Sequence, residues 1–191
     1  MESPKHTTQQ EPVYAVFISG THVTGKEVLA ASVADALGCR WIKSEWMNSA
    51  AEKAARTQSQ RGLDYNTVFG RVYSNKLAQV GFDFDGTQRP LAVISCFHMP
   101  PFERNAMRQA MLERNVKPIF CIMHITTTVL SGRTLGAEEP ELAARIMAIK
   151  AGAIQDPLEE EKDVILIDSM KNMDDVFVEM TAAIKARIIS T

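Results

Sequence analysis

One stretch constrains this chain more than any other. The apolar run Val13-Tyr14-Ala15-Val16-Phe17-Ile18 leads, through Ser19, into Gly20-Thr21-His22-Val23-Thr24-Gly25-Lys26-Glu27. An uninterrupted apolar run fits a strand buried on both faces, as in a parallel sheet covered by helices. Leu29, Val33 and Leu37 then lay an apolar stripe along a helix, and Gly38 stands where such a helix would end. The glycine-framed loop between strand and helix is built for an anion. Gly20 and Gly25 permit backbone angles and close approaches that other residues forbid. Successive main-chain N–H groups converge on one point, and the helix start adds unpaired donors and its positive dipole end. Lys26 supplies a flexible point charge for terminal phosphates. All eight residues, Gly20, Thr21, His22, Val23, Thr24, Gly25, Lys26 and Glu27, are therefore candidates for holding a polyphosphate.

Glu27 stands where a G-x-x-x-x-G-K-[ST] loop has the hydroxyl that holds Mg²⁺. Its carboxylate is a candidate metal ligand, since Mg²⁺ takes oxygen donors. Without a metal between them, a carboxylate ~4 Å from a phosphate charge at an effective dielectric of ~20 costs roughly 4 kcal/mol. Thr21 and Thr24 offer substitute hydroxyls, and His22 is either a donor to phosphate or a solvated loop residue.

The remainder alternates apolar strands with helical patterns. Strands are predicted at 40–43, 91–96, 116–123 and 163–168, with helices over 47–60, 67–80, 100–114, 126–133, 138–153 and 173–189. That order gives a parallel sheet with right-handed crossovers and helices on both faces. Ligands of such sheets bind beyond the carboxyl ends of the strands. The loop at 20–27, Glu45, the segment after Cys96 and the segment after Asp168 thus share one rim. The 191 residues, 46% of them hydrophobic, suit a single domain over 13–191 behind a polar, disordered tail over 1–12. A net charge of −2 indicates neither a nucleic-acid face nor an acidic tail. No apolar run is long enough for a bilayer, and the polar start lacks a secretory core. Cys39, Cys96 and Cys121 are odd in number and lack metal-ligand spacing, as in a reduced cytoplasmic protein. Exposed helical faces permit a homodimer.

With these elements in place the chain resembles a family, the small P-loop kinases of the gluconokinase and shikimate kinase type. The resemblance runs from Val13 to Ile189 and implies an α/β, three-layer P-loop NTPase fold. That fold has a parallel five-stranded sheet, helices on both faces and a helical lid, here at about 132–156. The gluconokinase branch carries a segment of the type C-S-A-L-K-x-x-Y-R-D-x-L-R after its third strand. Cys96-Phe97-His98-Met99-Pro100-Pro101-Phe102-Glu103-Arg104-Asn105-Ala106-Met107-Arg108 is similar to it, agreeing at Cys96, Arg104 and Arg108. Gln155-Asp156-Pro157 and the strand to Asp168 look like the family's acidic-proline stretch and last strand.

The resemblance implies phosphorylation of a sugar acid such as gluconate, with ATP and Mg²⁺. Lys26, Glu45 and Arg133 would be catalytic: Lys26 on the phosphates, Glu45 near the acceptor hydroxyl, Arg133 facing the transferred phosphoryl group from the lid. Glu45, Arg104 and Arg108 would bind the acceptor, Arg104 through its carboxylate. Such roles suit a reaction that is mostly positioning and charge neutralisation. The residues have plainer readings as well. Glu45 also suits a helix cap, Arg104 and Arg108 also suit pairing with Glu103 or Glu113, and Asp168 suits orientation of its own loop.

The chain departs from the family at several site positions. The loop hydroxyl is Glu27, the D-x-D-D-x-H segment is Ser44-Glu45-Trp46-Met47-Asn48, and the lysine of the third-strand segment is Pro100. The lid lacks its histidine, a family glutamine is replaced near Lys150, and the G-x-P-L-x-D-x-D-R element is reduced to Gly62-Leu63-Asp64. Three functions are therefore open: a gluconokinase-like enzyme, a weak or inactive relative that binds a nucleotide or a partner, and a kinase for another small hydroxyl metabolite. Asp83-Phe84-Asp85-Gly86-Thr87 spells the D-x-D-G-T of haloacid-dehalogenase-like phosphatases. It lacks the buried strand that such a nucleophile needs, and Asp-Gly is ordinary turn chemistry.

Overall fold

The computed structural model describes residues 12–21, 24–97, 99–153 and 157–189, without the side chains of Lys150 and Ala153. The expected tail over 1–11, His22 and Val23 of the loop, His98 and Gln155-Asp156 lie outside the described residues. Strands β1 (Val13–Ser19), β2 (Arg40–Lys43), β3 (Ala92–Cys96), β4 (Val116–His124) and β5 (Val164–Asp168) form one sheet in the order β2-β3-β1-β4-β5, parallel throughout. The helices are α1 (Lys26–Ala36), α2 (Glu45–Ser59), α3 (Tyr65–Gln79), α4 (Pro101–Leu112), α5 (Thr127–Arg133), α6 (Pro140–Ala153) and α7 (Met173–Ile189). This is the expected α/β P-loop fold. β1 lies in the middle, so the loop after it opens where successive crossovers diverge to opposite sides of the sheet.

Strand alternation divides the core. Ala15 and Phe17 face α2, α3 and α4 together with Ile94, Cys96 and Phe120, while Tyr14, Val16 and Ile18 face α1 and α7 together with Val93 and Cys121. Phe17 stacks on Phe120 at 5.4 Å, and Tyr73 leans against it at 6.4 Å. Burial of both faces explains why these strands read as continuous apolar runs.

Helix starts differ from expectation for local reasons. α3 begins at Tyr65, two residues before the predicted start, because Asp64 caps it, accepting from the Thr67 N–H at 2.7 Å and the Thr67 hydroxyl at 2.8 Å. Gly62-Leu63-Asp64 thus serves as a cap. α2 begins at Glu45 instead of Met47; its N-cap Ser44 does not cap with its side chain but turns the hydroxyl inward, to Tyr73 at 2.5 Å and the Ser95 carbonyl at 3.1 Å. Asp83 follows α3 in a turn, where its carboxylate accepts from the Asp85 N–H at 3.1 Å, so no strand aims it as a nucleophile. Among the described residues no helix is long and apolar enough to cross a membrane.

Candidate active site

The loop at the end of β1 is tightly folded. Gly25, the N-cap of α1, has φ +74°, and a methyl group there would lie 2.4 Å from Met173 Cε. A Cβ on Gly20 would lie 2.8 Å from Thr24 Oγ1 and 3.0 Å from Met123 Cβ. Only glycine fits at either place without displacing a neighbour. The Thr24 hydroxyl donates to the Thr21 carbonyl at 2.6 Å, closing the turn, while the buried hydroxyls of Ser19 and Thr21 have no partner among the described residues.

Lys26 is the first residue of α1 and is 1% exposed. A buried cation at a helix N-terminus is opposed by the helix dipole and by desolvation. A counter-anion relieves both, and the structure supplies one: Lys26 Nζ donates to Glu45 Oε1 at 2.6 Å. The ammonium also stands 5.9 Å from the centre of the Phe97 ring. Glu45 reaches this point because β2 runs beside β3 and delivers the first turn of α2 to the rim. The orphan hydroxyl of Thr21, the main-chain turn and Lys26 fit a polyphosphate.

A metal fares differently. Glu27 accepts from Lys43 Nζ at 2.8 Å on the solvent side of α1. Among the described residues no three His, Cys, Asp or Glu side chains cluster as a metal site. Among the described residues, the side chains by themselves do not make up a Mg²⁺ ligand set.

Arg133, at the end of α5, donates to the Ser169 carbonyl at 2.7 Å, and the Ser169 hydroxyl donates to the His124 carbonyl at 2.5 Å. This ties the start of the expected lid to the loop after β5, on the same rim as Lys26. Asp168 accepts from the Met170 N–H at 2.9 Å and so orients its own loop.

Arg104 and Arg108 are committed elsewhere. Arg104, fully buried, makes a two-pronged contact with Glu161, with Nε donating to Oε1 at 2.9 Å, and donates to the Met99 carbonyl at 2.9 Å. Arg108 grips Asp163 at 2.7 and 2.8 Å and touches Glu161 at 3.2 Å. The alternative expectation, that these arginines pair with Glu103 or Glu113, is corrected: their anions come from the segment entering β5. Burial would raise the Glu161 pKa, but hydrogen bonds from Arg104 and the Leu158 N–H, with the arginine charges, bring it down to about 2.

Two polar residues with no site role of their own in the sequence reading complete the arrangement. Glu103 on α4 is 2% exposed, and Asn48 on α2 is 1% exposed. Among the described residues, both side-chain polar atoms of Asn48 and Oε2 of Glu103 lack a hydrogen-bond partner of ordinary geometry. Burial, aided by the charge of Glu52, pushes Glu103 up to about 8; the approach of Arg56, Asn48 and Tyr65 offsets this only in part. Helical spacing held the signal. Glu103 lies in line with Met107 and Met111, and Asn48 with Ala51 and Ala55, all of them buried. Burial also pushes the Cys96 thiol up to about 12, with the Lys26 charge acting against it and those of Glu103 and Glu45 adding to it.

The sequence matches no protein-family model and no curated protein. Its fold is nonetheless shared with solved kinases. A gluconokinase from Sinorhizobium meliloti superposes with a TM-score of 0.61 at 17% identity, over 95% of this chain and 97% of that one. A sugar kinase from Janibacter sp. gives 0.59 at 18% identity over 90% and 94%, and a shikimate kinase from Aquifex aeolicus gives 0.50 at 12% over 93% and 99%. Agreement over nearly full length at such identities defines the fold and leaves the chemistry to the site.

Proposed function

We propose that this protein transfers the terminal phosphoryl group of ATP to a hydroxyl of a small molecule. The observation that carries the reading is Lys26: a buried ammonium at the positive end of α1, held 2.6 Å from Glu45. ATP takes over the ammonium, and that exchange frees Glu45 to accept the acceptor's proton. The acceptor oxygen then forms its bond to the γ-phosphorus as the bond to the ADP oxygen breaks, with the charge met by Lys26, the loop amides and Arg133. The loop residues Gly20, Thr21, Thr24 and Gly25 cradle the phosphates, together with His22 and Val23 in the same loop. The sugar acid implied by the resemblance draws on Arg104 for its carboxylate. Because Arg104 is already paired with Glu161, we leave the acid out of the proposal and keep the small hydroxyl acceptor. The reduced state of Cys39, Cys96 and Cys121 supports a cytoplasmic setting.

A second reading follows from Glu27, which replaces a metal-binding hydroxyl and faces Lys43: a protein that binds nucleotide without turnover. Calorimetric titration with ATP, with and without Mg²⁺, and a coupled ADP-release assay separate the two. The proposal expects ATP binding that weakens roughly tenfold or more in Lys26→Ala, and ADP release with at least one hydroxyl acceptor. Binding without release under every acceptor selects the second reading. Unchanged affinity in Lys26→Ala removes Lys26 from the site and defeats both.

A further inference from the structure

Beside the phosphate loop, α2, α3 and α4 bury polar atoms that the fold itself does not use. Asn48 lies three residues after Glu45 and close to Glu103, yet neither atom of its amide makes a hydrogen bond of ordinary geometry among the described residues. Glu103 faces it from the first turn of α4 with one carboxyl oxygen unpartnered. Tyr65, stacked on Phe69 at 6.1 Å and edge-on to Phe102 at 5.6 Å, brings its hydroxyl within reach of Glu103. Buried polar groups are normally satisfied, and orphans clustered beside a reactive centre point to a missing partner.

The charge around this cluster defines that partner. Arg104 and Arg108 are taken by Glu161 and Asp163. Arg56 stands at the outer edge, largely exposed, paired with Glu52 at 3.4 Å and in contact with Tyr65. An anion entering here meets the carboxyl groups of Glu45, Glu52 and Glu103 and finds its arginines occupied. We propose that the acceptor is an uncharged polyhydroxy compound whose hydroxyls pair with Asn48, Glu103 and Tyr65. The inference rests on the kinase reading for its place in a reaction, but not for the binding site itself. Each hydroxyl both donates and accepts, which matches a carboxamide, a protonated carboxyl and a phenol. Burial and the Glu52 charge keep Glu103 protonated up to about pH 8, against the pull of Arg56, Asn48 and Tyr65; Tyr73 and Cys96 also lie within its field.

The test uses matched pairs that differ only at one terminus: glucitol against gluconate and ribitol against ribonate, with glucamine as the cationic counterpart. Binding to the full chain is measured by calorimetry, with and without an unreactive ATP analogue, and ADP release is followed in parallel. At least one alditol should bind roughly tenfold or more tightly than its aldonate. Asn48→Ala should weaken that binding roughly tenfold with the fold intact by circular dichroism. Alditol affinity should fall above about pH 8 in the wild type and stay level in Glu103→Gln. Tighter binding of the aldonates, binding of glucamine alone, binding of no alditol, or an Asn48→Ala variant with unchanged affinity would each overturn the inference. An alditol that binds at this site without ADP release upholds the inference and defeats the kinase reading.

Discussion

Replacing Glu161 by glutamine should cost about 3 kcal/mol of stability at neutral pH. The magnitude comes from the carboxyl itself. Burial raises its pKa, but two hydrogen bonds from Arg104, one from Arg108 and one from the Leu158 N–H bring it from an ordinary 4.5 to about 2. The gap of 4.5 − 2, about 2.5, corresponds to about 3 kcal/mol at about 1.36 kcal/mol per pH unit. A folded-state pKa depressed in this way gives stability that is fully present above about pH 4.5 and lost as pH falls toward 2. The wild-type advantage over Glu161→Gln should therefore be full at pH 7, roughly halved by pH 3 and absent below 2. Urea unfolding followed by far-ultraviolet circular dichroism at pH 7, 4 and 3 measures it. A double variant, Arg104→Met with Glu161→Leu, should recover much of the loss, because it removes both charges instead of stranding a buried guanidinium. If Glu161→Gln unfolds at the wild-type urea concentration at pH 7 and instead changes acceptor affinity, Arg104 belongs to the binding site and the structural assignment made above is wrong.

Gly70 packs α3 against α4 so closely that an added methyl would lie 2.7 Å from the Ala106 carbonyl oxygen and 3.0 Å from Ala110 Cβ. Overpacking against a backbone atom costs roughly 1–3 kcal/mol, offset by about 1 kcal/mol of helix propensity, so Gly70→Ala should lower stability by about 1 kcal/mol in thermal or urea unfolding. Glu27→Ser should leave stability nearly unchanged, because its pair with Lys43 is solvent-exposed. The same change should tighten ATP binding about fivefold in calorimetry, as expected for removing a water-screened repulsion of about 1 kcal/mol; weaker binding would mark Glu27 as a working ligand.

Elements were readable where the information is periodic and local. The run from Val13 and the pattern over 173–189 state their burial in one dimension, and the structure places β1 and α7 there. The glycine loop was readable because its chemistry is contiguous. Even Asp64, reduced from a longer motif, follows the usual rule for a residue ahead of a helix.

Charge partners were not readable, and the reason is geometric. Arg104 and Glu161 are 57 positions apart, Lys26 and Glu45 are 19 apart, and nothing local to either partner names the other. Near neighbours on a helix are the pairs a sequence suggests, which is why Glu103 and Glu113 were the natural candidates for the arginines. About 100° of helical rotation separates Glu103 from Arg104, and that rotation decides their roles. Arg104 faces the segment entering β5 and is neutralised there, while Glu103 faces α2 and α3, where the cation acting on it, Arg56, is largely exposed. With Arg104 and Arg108 fixed on the segment entering β5, the arginine left near that face is the largely exposed Arg56. Neighbouring positions on one turn of α4 thus part company: one anchors the segment entering the sheet's edge strand, and the other leaves a buried carboxyl among α2 and α3.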